Sequence, residues 1–196
     1  MRVSSSALRE GLLYDLLGRI QREDVRERTI GELVRAHRID VDQSVRVENT
    51  ALELLERIAG SWLSGDEEQQ RLLRWAASLH EIGLSVSHSQ YHKHGAYLLT
   101  HLDMPGFARG EQRQLAALVR GHRRKFPLSE FNRLPSSQVN RLLRLCVVLR
   151  LAIVLHRRRT DESIPTLKIS VDGQAVKLGF PTDWLAQHQL TRADLE

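Results

Sequence analysis

The chain has 196 residues, of which 41% are hydrophobic and 27% are charged, and its formal net charge is +5. This composition is typical of a globular protein and excludes a collagen-like or low-complexity fibre. No apolar run approaches the length of about 20 residues that crosses a bilayer, and no signal-type stretch follows the N-terminus, so we expect neither a membrane span nor a secretory leader. The single cysteine, Cys146, cannot form an intrachain disulfide, which favours a cytoplasmic location.

The predicted elements of the first 160 residues are all helices, because apolar residues recur there at helical spacing. Ser6 is a candidate N-cap for the first helix, Asp42 opens a long one, and Ser136 or Ser137 can cap the last. That last helix is apolar on nearly every side, which predicts a central, buried position. The predicted helices cover residues 6–22, 29–39, 42–62, 67–81, 90–101, 110–122 and 136–159.

After Pro165 the spacing of apolar residues changes from a helical repeat to an alternating one. Residues 167–171 and 175–178 alternate between apolar and polar side chains, and Asp172-Gly173 lies between them. An Asp-Gly pair between two alternating runs predicts a β-hairpin, and a short helix over residues 182–188 follows. We therefore expect an all-α helical domain with a small C-terminal α+β appendage, made of a β-hairpin and a short helix.

Positive charge is concentrated in one part of the chain. Between Arg109 and Arg159 there are thirteen Arg and Lys residues against two acids, a local charge of +11, so the remainder carries −6. A chain polarised in this way attracts polyanions such as nucleic acid or phosphate chains. For any one of these residues, a solvated helix surface is an equally good explanation, and it is the clustering that favours anion binding.

Histidines gather around the sequence Leu79-His80-Glu81-Ile82-Gly83. His88, His92, His94 and His101 follow within 20 residues of Glu81, and His122 lies further on. Imidazole and carboxylate groups at the end of a buried helix suit Zn, Mn or Fe, although a lone His-Glu pair is more often structural.

This pattern resembles the His-Asp (HD) phosphohydrolase superfamily, whose helical core binds metal through a lone His, a His-Asp pair and a later Asp. His80 matches the His of the pair, but Glu81 replaces its Asp. Gln43 stands where the lone His is expected, and Ile153 stands where the late Asp is expected. Because Gln is a poor metal ligand and Ile is none, we expect these four positions to be vestigial and to hold no catalytic metal.

Six segments spread over nearly the whole chain carry a narrower resemblance. They read ALREGLLYDLL (7–17), LHEIGLSVSH (79–88), YHKHGAY (91–97), VRGHRRK (119–125), LRLAI (149–153) and DWL (183–185). They are similar to the C-terminal half of the exopolyphosphatase/guanosine pentaphosphate phosphohydrolase (Ppx/GppA) family. The resemblance implies a linker helix from a missing N-terminal actin-like half over residues 1–22, an HD-like helical domain over 23–160, and a truncated α+β appendage over 161–196.

The resemblance also implies which part of the family's proteins contains the catalytic site. In that family the phosphate-cleaving site lies in the N-terminal half, and this chain contains no Gly-x-Gly-x-x-Gly, Gly-Lys-Ser/Thr or Gly-x-Ser-x-Gly motif. It implies that this chain has no catalytic residue and no cofactor of its own, whereas the parent enzyme hydrolyses phosphoanhydride bonds and uses Mg²⁺. The implied partners are inorganic polyphosphate, a second copy in a homodimer, and the chain's own N-terminal catalytic half.

The candidate polyphosphate-binding residues are mostly cations of the basic stretch. A groove lined by Arg and Lys binds a linear polyphosphate chiefly through charge and counterion release. Arg123, Arg124 and Lys125 form a first trio, in a loop that ends at Pro127. The second trio, Arg157–Arg159, ends the long helix, where the helix dipole also favours cations. The full candidate set is Lys93, Arg120, His122, Arg123, Arg124, Lys125, Arg157, Arg158 and Arg159.

Several functions remain open at this point. The leading hypothesis is the C-terminal polyphosphate-binding and dimerisation module of an exopolyphosphatase. The alternatives are the same part of a guanosine pentaphosphate phosphohydrolase, or an active metal-dependent HD phosphohydrolase. Nucleic-acid binding is the least favoured, because aromatic residues make up only 5% of the chain and only Phe126 and Phe131 lie within the basic stretch.

Overall fold

The computed structural model describes residues 18, 25–160, 162, 164–173 and 175–195, and it shows a helical body followed by a small appendage. The predicted first helix lies outside the described residues, apart from the helical residue 18. The body contains residues 25–36 (α1), Val41–Ile58 (α2), Glu67–Leu79 (α3), a 3₁₀ turn at Ile82–Ser85, Tyr91–His101 (α4), Arg109–Gly121 (α5), Leu128–Phe131 (α6) and Ser136–Leu155 (α7). The appendage contains Lys168–Asp172 (β1), Ala175–Gly179 (β2), Trp184–Gln187 (α8) and Gln189–Leu195 (α9). The predicted fold class is confirmed, with α9 as an element that the sequence analysis missed.

Side-chain caps fix where α2 and α3 begin. The carboxylate of Asp40 accepts a hydrogen bond from the Gln43 backbone N–H at 3.0 Å, and that of Asp66 accepts one from Gln69 at 2.9 Å. Helix α2 therefore begins after Asp40 rather than at Asp42 as predicted. It also ends earlier than predicted, because the backbone becomes extended at Ala59 and Gly60 adopts a left-handed conformation with φ of +77°.

Helix α7 is the central element, as its apolar sequence predicts. It packs against α2, α3 and α5, and Leu142, Leu145 and Leu149 are fully buried. The predicted serine cap is wrong, since Pro135 occupies the N-cap and Ser136 is the first helical residue. The helix ends at Leu155, so the three arginines predicted to end it follow it instead. Neither α7 nor any other helix in the described ranges is both long and apolar enough to cross a membrane.

The appendage is a two-stranded antiparallel hairpin followed by α8 and α9. Asp172 pairs with Ala175 at the turn, and Gly173 has φ of +59°, in the left-handed region that glycine adopts without strain. Strand β1 packs on α2, and Arg57 of α2 donates a hydrogen bond to the carbonyl of Leu167 at 2.6 Å. The hairpin predicted from the Asp-Gly pair is therefore confirmed.

Two glycines bring the 3₁₀ turn, α4 and α5 unusually close together. A Cβ on Gly83 would overlap the carbonyl oxygen of Tyr91, and it would lie 2.5 Å from the backbone nitrogen of Gly95. A Cβ on Gly95 would lie 2.9 Å from a methyl group of Val119. Because neither glycine carries a side chain, the end of α3 lies directly against α4 and α5. This close approach positions the histidines described next.

Candidate functional site

His80 and Glu81, the vestigial HD pair, lie at the C-terminal end of α3 and are almost fully buried. The Nδ1 of His80 donates a hydrogen bond to the carbonyl of Ala77 at 2.6 Å. Its Nε2 lies 3.9 Å from Oε1 of Glu81, which is too long for a hydrogen bond. Burial lowers the pKa of His80, against the opposing effect of the Glu81 carboxylate, so the ring is neutral near pH 7.

His92 and His122 complete a buried histidine cluster with His80. The ring centroid of His122 lies 5.7 Å from that of His80 and 6.3 Å from that of His92. His122 donates from Nδ1 to the carbonyl of Val119 at 2.6 Å and accepts a hydrogen bond at Nε2 from the Tyr91 hydroxyl at 3.3 Å. Burial and the neighbouring His80 hold the pKa of His122 well below its usual range. The candidate anion ligand His122 is therefore a buried neutral side chain.

The residues at the other two vestigial positions have structural roles. Gln43 donates from Nε2 to the carbonyl of His156 at 3.0 Å and accepts at Oε1 from Arg46, so both ends of its amide are occupied. Ile153 packs against the hydrophobic core. The guanidinium of Arg159 forms an ion pair with the buried carboxylate of Glu81.

The donor set does not fit a catalytic metal. In the described part of the chain, no group of three or more His, Cys, Asp or Glu side chains is arranged to hold a metal ion. Arg159 already supplies the positive charge beside Glu81, and the amide of Gln43 is directed to the protein itself. We therefore derive no metal-dependent step at this position.

The basic loop Arg123–Lys125 follows α5 as irregular backbone, in agreement with the prediction. Arg124 and Lys125 are exposed, and Arg124 adopts a left-handed conformation with φ of +65°. Arg123 is half-buried, and its guanidinium lies 5.1 Å from the ring centroid of Tyr91. The loop therefore lies directly beside the histidine cluster.

Lys93 and Arg120 extend this loop into a larger basic surface. Burial lowers the pKa of His92 to about 4, and the positive charges of Arg120, Arg123, Lys93 and Arg124 contribute to the same shift. Four predicted cations from two sequence segments are therefore close enough to His92 to influence its pKa. We call Lys93, Arg120, Arg123, Arg124 and Lys125 the basic surface, and among the described residues none of them forms an ion pair with a carboxylate.

The second predicted trio has a different environment, because each of its arginines is paired. Arg157 forms an ion pair with Asp194 of α9. Arg158 lies 3.7 Å from a carboxylate oxygen of Glu162 and donates to the carbonyl of Gln187 at 2.9 Å. The contacts of Arg157 with Asp194 and of Arg158 with Gln187 connect the body to the appendage, whereas Arg159 is paired with Glu81 within the body. The structure thus separates the candidate cations into an unpaired group and a paired one.

A groove between α4 and α5 contains residues that the sequence analysis did not select. It has a volume of about 480 Å³, and its lining includes Tyr97, His101, Arg113 and Arg133 together with Lys93 and Arg120 of the basic surface. The spacing of Tyr97 and His101 by four residues, and of Arg113 and Arg120 by seven, places each pair on one helix face. That spacing is visible in the sequence, but the apposition of the two faces is not.

The fold and the site together define a helical domain in which Gln43, Glu81 and Ile153 make structural contacts with the rest of the protein. Residues 25–196 match the model of the family described as Ppx/GppA phosphatase, domain III. The chain belongs to the Ppx/GppA family, as the sequence motifs indicated.

The chain is similar to one part of several longer proteins. It is 34% identical over 195 residues to a guanosine-5'-triphosphate,3'-diphosphate pyrophosphatase of Aeromonas hydrophila, and 36% identical over 198 residues to one of Pseudoalteromonas translucida. It is also 35% identical over 197 residues to a protein of the same name from Vibrio vulnificus. Each match covers 100% of this chain and 39% of the relative. The chain therefore spans well under half the length of these relatives.

Proposed function

We propose that this chain is the C-terminal, polyanion-binding part of a guanosine pentaphosphate phosphohydrolase, and that its basic surface binds the phosphates of that nucleotide. The names of its relatives support this alternative better than the exopolyphosphatase that the sequence analysis ranked first. Inorganic polyphosphate carries the same kind of phosphate groups as the nucleotide, so it serves as the ligand with which nucleotide binding is compared.

The observation that carries the proposal is the convergence of unpaired cations around His92. Lys93 is next to His92 in the chain, Arg120 lies in the last turn of α5, and the guanidinium of Arg123 lies 5.1 Å from the ring centroid of the neighbouring Tyr91. Burial is the largest cause of the lowered pKa of His92, and these cations and Arg124 add to it. Neighbouring like charges repel each other and do not stabilise the fold. An arriving polyphosphate group relieves this repulsion, and charge-assisted hydrogen bonds from guanidinium groups hold it in place.

Binding, rather than bond cleavage, is the chemistry that these residues support. The buried histidines are neutral, Glu81 is paired with Arg159, and the donor set does not fit a metal. We therefore assign hydrolysis of the phosphoanhydride bond, with its Mg²⁺ requirement, to the part of the longer protein that this chain does not cover. The role of this chain is to attract the substrate and orient its phosphates.

The test is a binding titration of guanosine 5'-triphosphate 3'-diphosphate with the 196-residue chain at several salt concentrations. Changing Arg123, Arg124 and Lys125 together to Ala should weaken binding at least about tenfold at low salt and flatten the salt dependence. The matched control removes three exposed cations elsewhere, Arg35, Lys168 and Lys177, and should change affinity much less. Equal losses in the two triple variants, or no binding by the unmodified chain, would contradict the proposal.

A further inference from the structure

The groove between α4 and α5 has the size of a small-molecule site. Its volume of about 480 Å³ lies within the range of ligand pockets. Ala96 of α4 and Ala116 and Ala117 of α5 are among its lining residues, and the segment that joins α6 to α7 contributes Arg133 and Leu134. Because the alanine side chains are short, they leave room for a groove where α4, α5 and this joining segment meet.

An exposed pair of stacked rings lies on the α4 side of this groove. The ring of Tyr97 is stacked on that of His101, with centroids 4.2 Å apart and planes 28° from parallel. His101 is held in this orientation because its Nδ1 donates a hydrogen bond to the carbonyl of Tyr97 at 2.8 Å. Tyr97 is nevertheless 64% exposed, which makes it the most exposed large hydrophobic side chain of the described residues. A flat aromatic surface of this kind suits stacking with a nucleobase.

Cations line the rest of the groove. Arg113 and Arg120 lie two turns apart on α5, which separates them by about 10 Å along the helix axis, and Lys93 lies on α4. Within the described ranges, none of these three cations has a carboxylate partner, whereas Arg133 is paired with Glu130 at 2.9 Å. The groove therefore combines an aromatic platform with a row of unpaired positive charges.

We infer that this groove is a binding site for a nucleoside polyphosphate, in which the base stacks on the Tyr97–His101 platform and the phosphates contact Lys93, Arg113 and Arg120. A ligand made only of phosphate would use the cations and leave the platform unused. Because Lys93 and Arg120 also belong to the basic surface, this inference rests on the proposed function. The groove inference adds to the proposed function a separate site that recognises the base of the nucleotide.

The experiment compares GTP with inorganic tripolyphosphate as probes for the 196-residue chain, using calorimetric titration. Changing Tyr97 to Ala should weaken GTP binding about tenfold, because the stacking contribution is lost, and should leave tripolyphosphate binding unchanged. Changing Tyr97 to Phe keeps the ring and should keep the GTP affinity. Changing Arg113 to Ala should weaken both probes, because both use the phosphate contacts. Saturation-transfer NMR should detect contact between the base protons of GTP and the protein in the unmodified chain and in the Tyr97→Phe variant, but not in the Tyr97→Ala variant.

The outcomes separate this inference from the proposed function. If the Tyr97→Ala variant binds GTP as tightly as the unmodified chain, while the basic-loop triple variant loses affinity, the groove inference is overturned and the proposed function stands. Equal affinity of the unmodified chain for GTP and tripolyphosphate also overturns the inference. A change of sedimentation coefficient in the Tyr97→Ala variant, with GTP affinity retained, would instead identify the groove as an interface between copies. If neither probe binds, both proposals fail.

Discussion

Arg159 forms an ion pair with the buried carboxylate of Glu81, although the two residues are 78 positions apart in the chain. The same guanidinium donates to Oδ2 of Asp40 at 3.0 Å, so it connects the N-cap of α2, the end of α3 and the segment after α7. The side chain of Glu81 is only 6% exposed, and the ion pair with Arg159 compensates for the water contacts that this burial removes.

We expect the Arg159→Met variant to lower the free energy of unfolding by about 1–3 kcal/mol, because it leaves the Glu81 charge buried without a partner. This range lies below the usual cost of breaking a fully buried pair, since the side chain of Arg159 is 43% exposed and water screens it. The control is Arg158→Met, whose exposed contact with Glu162 should contribute less than about 1 kcal/mol. Urea unfolding measures both, and similar losses in the two variants would contradict the expectation.

Stability should fall as the pH is lowered from about 6.5 towards 4. Burial lowers the pKa of His156 to about 4, and it is also the largest cause of the shift of His92 to about 4. In that window these histidines bind protons in the unfolded chain but not in the folded one, so acidification favours unfolding. The unfolding midpoint in urea, measured across the window, should depend less on pH in the His156→Gln variant. An equally steep pH dependence in the His156→Gln variant would contradict the expectation.

The Gly83→Ala variant should be destabilised by more than about 2 kcal/mol. The added methyl group would overlap the carbonyl of Tyr91 and the backbone nitrogen of Gly95, and backbone atoms cannot rotate away. Gly31 in α1 is the matched control, because a Cβ there would meet no atom of the described residues within 4 Å. Gly31→Ala should be neutral, or should stabilise the chain by up to about 1 kcal/mol through helix propensity. Thermal unfolding compares the two, and a mild effect of Gly83→Ala would show that the contact between the 3₁₀ turn and α4 can relax.

The 196-residue chain should release no phosphate from guanosine pentaphosphate or from long-chain polyphosphate above the buffer rate, with or without Mg²⁺. The physical reason is that its histidine cluster is neutral and its HD position is filled by Gln43, Ile153 and the Arg159–Glu81 pair. A phosphate-release assay checks this. Activity that scales with chain concentration and persists through further purification would overturn it.

We also propose that the chain self-associates, as the family resemblance implies. Val41 and Val45 lie one turn apart on α2 and are 55% and 47% exposed, which provides an apolar contact surface. Light scattering at tens of micromolar should give a mass above that of the monomer, and Val45→Glu should lower it. A monomer mass for the unmodified chain at that concentration would contradict the proposal.

Local sequence determined most of the elements of this fold. Helical periodicity predicted α2 to α5 and α7 to within a few residues, and the Asp172-Gly173 pair predicted the hairpin, because both features depend on neighbours in the chain. Local sequence also predicted the basic loop, because Pro127 stops the helix and the backbone before it is irregular. The identities of Gln43, Glu81 and Ile153 were also readable from the sequence, whereas the hydrogen bond of Gln43 to His156 and the ion pair of Glu81 with Arg159 were not.

Tertiary structure alone decided which charges are free to bind a ligand. Arg123–Lys125 and Arg157–Arg159 are equally basic in sequence, yet the structure pairs the second trio with Glu81, Glu162 and Asp194, whereas the first has no carboxylate partner among the described residues. It also decided that the Tyr97 face of α4 and the Arg113 face of α5 border one groove. The physical reason is that the electrostatic state of a side chain depends on the groups within a few ångströms of it. Folding brings such groups into contact from distant positions in the chain, as with Arg159 and Glu81, which are 78 residues apart.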